Sequence, residues 1–281
     1  MPAYAFRLVN VFAESSLAGN PLCVFEDATG MTDTTMQALA RQFNLSETTF
    51  ILSSSVADAR VRIFSPAAEF PFAGHPTLGT AAVLCGLRGL PDRLTLEMLA
   101  GVIPVTRTDD RYTLQAGPAT IAEPAVVSRE ALANMLGLEA DAIYAQPLIV
   151  STGNEQLLVP LRSVEDVMRC RPDARDAGRL ANAHGLVKLF VWAPSRAGVV
   201  VGRFFFGEPG GALREDPGTG SACANLGAWL VRMGHPLPVR LIVEQGDALQ
   251  RACRLHLTVD EQARIFVGGR VQEVGHGVIT L

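Results

Sequence analysis

Two short turns carry groups that can handle a small anion. Phe72-Ala73-Gly74-His75-Pro76-Thr77 places a glycine and then His-Pro directly before an uncharged, apolar stretch, and proline is favoured in the first turn of a helix. Asp216-Pro217-Gly218-Thr219-Gly220-Ser221 does the same before a second such stretch. Its glycines permit close backbone approach, and Thr219 or Ser221 can cap a helix or bind a carboxylate. Free N–H groups at a helix start attract negative charge, so each turn is either an ordinary cap on a core helix or part of a carboxylate grip. His75 either donates to a substrate oxygen and shuttles a proton near neutral pH, or caps the helix structurally.

Three acids compete for acid/base work. Glu47, in Asn44-Leu45-Ser46-Glu47-Thr48-Thr49-Phe50, sits where a polar turn enters an apolar strand, a place from which a carboxylate can point into a cleft; the alternative is a solvated strand-end glutamate. Asp216 is flanked by Arg214 and Glu215, so a surface charge cluster competes with a functional reading. Glu69, beside Phe70-Pro71, reads equally well as a surface-loop acid. Pattern alone does not rank the three.

The elements that must hold these groups alternate between strand and helix. Apolar runs at Tyr4–Val11, Leu22–Phe25, Thr48–Leu52 and Val61–Phe64 predict short strands, with a helix over Thr34–Phe43. Thr77–Leu87 carries no charge on any face and predicts a helix buried on all sides. Strands are expected at Leu94–Glu97, Val102–Thr106 and Tyr112–Gln115, after which Gly117-Pro118 and Glu123-Pro124 break the pattern and suggest a domain boundary. The second half repeats the layout, with a helix near Arg129–Leu136, strands at Leu148–Ser151, Leu157–Val159, Lys188–Trp192 and Val199–Phe206, and a second charge-free helix over Ser221–Leu230. Two halves, each wrapping strands around one buried helix, would leave a cleft of the kind that takes small molecules.

Composition narrows the function classes. The 281 residues are 48% hydrophobic and 19% charged, and no run of about 18 apolar residues is present to span a bilayer; a water-soluble protein without a membrane partner is expected. The net charge of −4 comes without a basic run, which argues against a nucleic-acid partner. Cys23, Cys85, Cys170, Cys223 and Cys253 lack the short spacing of a zinc knuckle or redox pair, so they are expected to be buried apolar residues, and no metal is expected. The segment Met1–Arg7 lacks a basic leader with an apolar block, and cytoplasmic residence is the expectation.

Gly19-Asn20-Pro21, Asn44–Glu47, Phe72–Thr77, Glu215–Ala222, Gln245-Gly246 and Val267-Gly268-Gly269 together resemble the PhzF-like phenazine-biosynthesis family, nearly end to end. The resemblance implies a mixed α/β (α+β) fold of the diaminopimelate epimerase-like type: two pseudo-symmetric domains, each with a mostly antiparallel sheet wrapped around a central helix. The domains would be residues 1–118 with about 268–281, the last strand returning to the N-terminal half, and residues 119–267. It implies a cofactor-independent isomerase, acting as a homodimer, that transfers a proton on a small carboxylated cyclic or unsaturated amino or hydroxy acid. Glu47 would be the general acid/base, His75 and Asp216 would contact substrate, and the backbone of Gly74, Gly218, Thr219, Gly220 and Ser221 would bind its carboxylate. A pKa for Glu47 raised toward neutrality in a closed, dry cleft would help. The related epimerases use two cysteines beside these turns; here Ala73 precedes Gly74 and Asp216-Pro217 precedes Gly218, so a two-thiol racemase is disfavoured. The alternative is a non-catalytic ligand-binding or protein-interaction protein that keeps the fold, since fold does not fix function.

Overall fold

The computed structural model describes every residue except 124–127, 174–175, 177–179, 181–184 and 208–210; Pro124 of the expected Glu123-Pro124 break lies outside the described residues. The chain divides into two units, Met1–Gln115 with Gly268–Leu281, and Ala116–Val267.

In the first unit, β1 (Ala3–Val11) and β2 (Asn20–Phe25) run antiparallel. Helix α1 (Asp33–Phe43) leads to β3 (Thr48–Leu52), parallel to β2, and β4 (Ala59–Phe64) returns antiparallel. A two-residue strand, β5 (Glu69–Phe70), pairs with β4, and α2 (Gly74–Arg88) then crosses to β6 (Arg93–Met98), parallel to β4. Antiparallel β7 (Gly101–Thr108) and β8 (Arg111–Gln115) follow.

The second unit opens with β9 (Thr120–Ala122) and α3 (Arg129–Leu136), then repeats the first unit's order. Antiparallel β10 (Leu148–Ser151) and β11 (Gln156–Pro160) precede α4 (Val164–Arg169). Next come β12 (Val187–Arg196), parallel to β11, and antiparallel β13 (Val199–Gly207) with the short β14 (Arg214–Asp216) on its edge. Helix α5 (Gly220–Arg232) crosses to β15 (Val239–Gln245), parallel to β13, and β16 (Cys253–Val259) returns antiparallel. The last strand, β17 (Ile265–Thr280), runs antiparallel to β1 and also pairs with β8. That pairing closes the first sheet into the ring β17-β1-β2-β3-β4-β6-β7-β8, which leaves no open edge.

The charge-free helices are central in their own units. In α2 every residue from His75 to Ala81 and from Val83 to Cys85 is buried, against β1, β2, β3, β6 and β8. The approach is close enough to demand glycine at position 79, where a Cβ would come within 2.5 Å of Leu22 Cδ2 and 2.9 Å of Val11 Cγ2. In α5, Ala222–Leu230 are buried against β10, β11 and β16. The outer faces are covered too. Met36, Leu39 and Ala40 of α1 pack on Cys23, Phe25, Phe50 and Phe64, with Phe25 and Phe50 stacked at 4.9 Å. A strand covered on both faces reads as a continuous apolar run rather than an alternation, which is the pattern of Leu22–Phe25. In the second unit α3 and α4 supply the corresponding cover through Leu132, Leu136 and Val167. Each unit is therefore α+β, mostly antiparallel, with one buried helix.

Two expectations are corrected. Both central helices begin earlier than the charge-free runs suggest, at Gly74 rather than Thr77 and at Gly220 rather than Ser221. Pro76 does not delay the start, because a first-turn N–H has no intrahelical partner to lose. Strands β5, β9 and β14–β16 and helix α4 were not anticipated. The first three are only two or three residues long, and α4 has only six.

Candidate active site

The placement of Glu47 starts at the end of α1. Asn44 adopts a left-handed conformation (φ 53°) and its N–H donates to Ala40 O, an arrangement asparagine tolerates better than most residues. The chain is thereby turned out of the helix, and Leu45 packs on the outer core. Ser46 Oγ donates to Asn20 Oδ1 at 3.5 Å. Thr48 and Thr49 are then buried at the start of β3, where the hydroxyls of Thr49 and Thr80 share a hydrogen bond of 2.8 Å that ties the strand to α2.

This connection brings Glu47 beside the first turn of α2. Its Oε2 lies 3.5 Å from His75 Nε2, with the side chains 15% and 7% exposed respectively. Burial pushes the pKa of His75 down to about 3, against the opposing effect of a hydrogen bond to the Pro21 backbone. The imidazole is neutral at ordinary pH, so its contact with Glu47 is not an ion pair. Donation of the ring's one N–H to the Pro21 carbonyl leaves Nε2 with a lone pair facing the carboxyl group. The N-cap of α2, Ala73, has no side chain to cap with, and no acid occupies the first turn; Gly74 is the first helical residue.

The other two acids sit differently. Glu69 is engaged by Arg62, whose Nε and Nη2 donate to its two carboxylate oxygens at 2.7 Å each, and this fork-to-fork pairing accounts for it structurally. The surface-cluster reading of Arg214–Asp216 does not hold for Glu215. That side chain is buried and takes a bidentate pair from buried Arg203, at 3.0 and 2.7 Å. Arg203 also donates from Nη1 to the carbonyls of Val167, Met168 and Cys170 and lies over the Phe205 ring. Glu215 thus anchors β14 immediately before Asp216.

In the second unit Asp216, Thr219 and Gln245 are joined by hydrogen bonds to one another. Thr219 Oγ1 donates to Asp216 Oδ2 and accepts from Gln245 Nε2 at 3.1 Å. Gln245 Nε2 also donates to Asp216 O at 2.8 Å, and its Oε1 accepts from the Thr219 N–H at 3.2 Å. Thr219 occupies the N-cap of α5 but makes no side-chain cap, because its hydroxyl is turned to Asp216. Gly246 (φ 82°) passes beneath the turn; a Cβ there would collide with Arg251 O and come within 2.5 Å of Pro217 O. Gly218 and Gly220 flank Thr219, and Ser221 follows in the first turn, where its Oγ accepts from Gln156 Nε2 at 2.8 Å and Asn154 Nδ2 at 3.3 Å.

The structure thus groups Glu47, Gly74 and His75 in one unit, and Asp216 with Gly218–Ser221 in the other. Sequence reasoning assigned no role to Pro21 or Gln245, and overlooked Asn154, Gln156, Lys188 and Asn225. One signal was available: Asn225 is a polar residue inside an otherwise apolar helix, and a buried amide requires partners. Among the described residues no cluster of three or more His, Cys, Asp or Glu side chains could hold a metal, and no helix is long and apolar enough to cross a membrane. All five cysteines are buried. Burial raises the pKa of Cys223 and Cys85, which disfavours the thiolate.

Comparison with known proteins agrees with this architecture. A model of the phenazine biosynthesis-like protein family matches residues 9–280. An uncharacterized isomerase of Pasteurella multocida is 41% identical over 98% of this chain and 93% of its own length. The trans-2,3-dihydro-3-hydroxyanthranilate isomerase of Pseudomonas chlororaphis is 32% identical over 98% of this chain and 99% of its own. The crystal structure of a PhzF-family phenazine biosynthesis protein from Bacillus anthracis superposes over the whole of both chains with a TM-score of 0.85 at 27% identity.

Proposed function

The chain belongs to the phenazine biosynthesis-like family as an isomerase, and from that premise we propose that it moves a proton within a small carboxylated cyclic or unsaturated amino or hydroxy acid, using Glu47 as the acid/base. The observation that carries this reading is the Glu47–His75 contact: a mostly buried carboxyl group held 3.5 Å from a nitrogen of a neutral imidazole, at the start of a helix with no side-chain cap.

Glu47 removes a proton from a substrate carbon. The electron pair released by that C–H bond is delocalised through an adjoining double bond, and the proton returns to the carbon at its far end. One C–H bond breaks, one forms, and no electrons leave the substrate, so a single carboxylate on one face suffices. While Glu47 carries the proton on Oε2, it faces the lone pair of His75 Nε2, which stabilises the acid form without burying a second charge. The helix starts at Gly74 in the first unit and Gly218–Ser221 in the second each offer N–H groups suited to a substrate carboxylate, and His75 and Asp216 are the side chains assigned to substrate contact.

The chemistry of the two helix starts supports this reading over epimerisation. Inverting a carbon needs a base on each face, and the N-cap positions are Ala73 and Thr219, while the cysteines are buried, and burial pushes up the pKa of Cys253, the thiol that feels the Asp216 charge. The activity named for the Pseudomonas relative supplies the substrate to try first, trans-2,3-dihydro-3-hydroxyanthranilate. In deuterated buffer the protein should move a carbon-bound hydrogen of this compound and incorporate solvent deuterium. Glu47→Gln should abolish both effects. Full turnover by that variant would remove Glu47 from the mechanism, and binding without exchange by the wild-type protein would indicate a ligand-binding protein instead.

A further inference from the structure

Beneath Ser221 lies a polar network whose hydrogen-bond directions are set at both ends. At one end Lys188 Nζ donates to Asn154 Oδ1 at 2.6 Å. An ammonium group donates only, so the amide oxygen of Asn154 must face Lys188 and its NH2 must face Ser221 Oγ, at 3.3 Å. At the other end the Thr152 backbone N–H donates to Asn225 Oδ1 at 2.8 Å. This turns the Asn225 NH2 toward Val150 O, Asn154 O and Gln156 Oε1, at 2.9, 2.9 and 3.0 Å. Gln156 therefore presents its own NH2 to Ser221 Oγ, at 2.8 Å.

Ser221 Oγ thus accepts from two donors whose orientation cannot reverse. A hydroxyl has two acceptor sites and one proton; with both sites taken, the proton is left to donate to a third partner. We propose that Lys188, acting through Asn154, is a positioning residue that commits the Ser221 hydroxyl to donating toward the substrate carboxylate. This rests on the reading of the α5 start as a carboxylate-binding turn. Lys188 reaches the site by hydrogen-bond direction rather than by contact, so its effect passes through Ser221 and falls on affinity for an anion.

The test uses the full chain and two probes, anthranilate and aniline, which share an aromatic amine and differ in the carboxylate. Isothermal titration should show Ser221→Ala weakening anthranilate binding about tenfold, the worth of one hydrogen bond to a charged group, with no change for aniline. Lys188→Met should weaken anthranilate about three- to tenfold in the wild-type background and less than about twofold in the Ser221→Ala background, while Lys188→Arg, which retains a donor for Asn154, keeps most of the affinity. With trans-2,3-dihydro-3-hydroxyanthranilate the Lys188→Met change should appear in KM rather than kcat. If Lys188→Met does not fold, Asn154→Asp carries the test: it keeps a partner for Lys188 but replaces the donor facing Ser221 by an acceptor, and its loss of anthranilate affinity should largely vanish in the Ser221→Ala background. Equal losses in both backgrounds, or no loss where Ser221→Ala has one, would overturn the role of Lys188 alone. An unchanged anthranilate affinity in Ser221→Ala would overturn the carboxylate-binding reading, and this inference with it.

Discussion

Glu47 Oε2 and His75 Nε2 lie 3.5 Å apart although they belong to different elements, one at the end of the α1–β3 connection and the other in the first turn of α2. Glu69, the other acid of that unit considered for the chemistry, is held by Arg62 on both oxygens. The two glutamates should therefore answer to substitution in opposite ways. Glu47→Gln should cut turnover by roughly a hundred- to ten-thousandfold with little change in melting temperature. Glu69→Gln should leave turnover near the wild-type value and cost on the order of 1 kcal/mol in stability, as expected for a partly exposed pair. Steady-state kinetics and thermal melts of both variants check this, and a silent Glu47→Gln would sink the assignment.

Neutral His75 gives a pH dependence with a definite sign. Its folded pKa is pushed down to about 3 from an ordinary 6.5. Between those values the unfolded chain binds a proton that the folded chain does not, so stability rises with pH across the window. The contribution is intact above 6.5 and is lost as the pH falls toward 3, with a limiting slope of about 1.4 kcal/mol per pH unit. Urea denaturation of the wild type and His75→Gln from pH 7 to 4 should show the difference between them shifting against the wild type on acidification. A difference that stays constant with pH would mean that the ring is not held neutral.

What could be read from the sequence, and what could not, follows the range of the interactions. Helices α2 and α5 were legible because the absence of charge on every face is a local property, and a helix of that kind must be buried. Their starts were misjudged by one to three residues, since a first-turn glycine, histidine or proline looks like a turn. Helix α3 and β10 match the expected limits residue for residue. Glu47 could not be separated from Glu69 in the sequence because the distinction lies in partners, Arg62 for one and His75 for the other. The neutrality of His75 depends on its burial, which outweighs the opposing hydrogen bond to Pro21, more than fifty positions earlier. The Lys188–Asn154–Ser221 relay joins three separate stretches that no periodicity connects.

The buried Arg203–Glu215 pair, with side chains 8% and 9% exposed, anchors the strand that ends at Asp216. Glu215→Ala should cost about 3 to 5 kcal/mol, because it leaves an uncompensated guanidinium in the interior. Adding Arg203→Met should recover only part of that loss, since Nη1 also satisfies the carbonyls of Val167, Met168 and Cys170. Guanidinium chloride denaturation of the single and double variants tests this; a Glu215→Ala cost below about 1 kcal/mol would place the pair among the weak, solvated ones.

Gly246 gives the last prediction, because stability and function should fail there together. Its backbone is left-handed at φ 82°, and an added Cβ would press on Pro217 O and Arg251 O. Gly246→Ala should cost at least about 2 kcal/mol from the strained conformation and the collision. Relief of the collision moves Pro217, the residue between Asp216 and Gly218, so the folded fraction of the variant should also bind anthranilate less tightly than the wild type. Gly234 is the control: it too has a positive φ, 76°, but nothing lies within 4 Å of its Cβ position. Gly234→Ala should pay the conformational cost while keeping wild-type affinity. Melts and titrations of the two variants separate backbone strain from displacement of the turn, and equal affinities would show that the 216–221 turn does not depend on what lies beneath it.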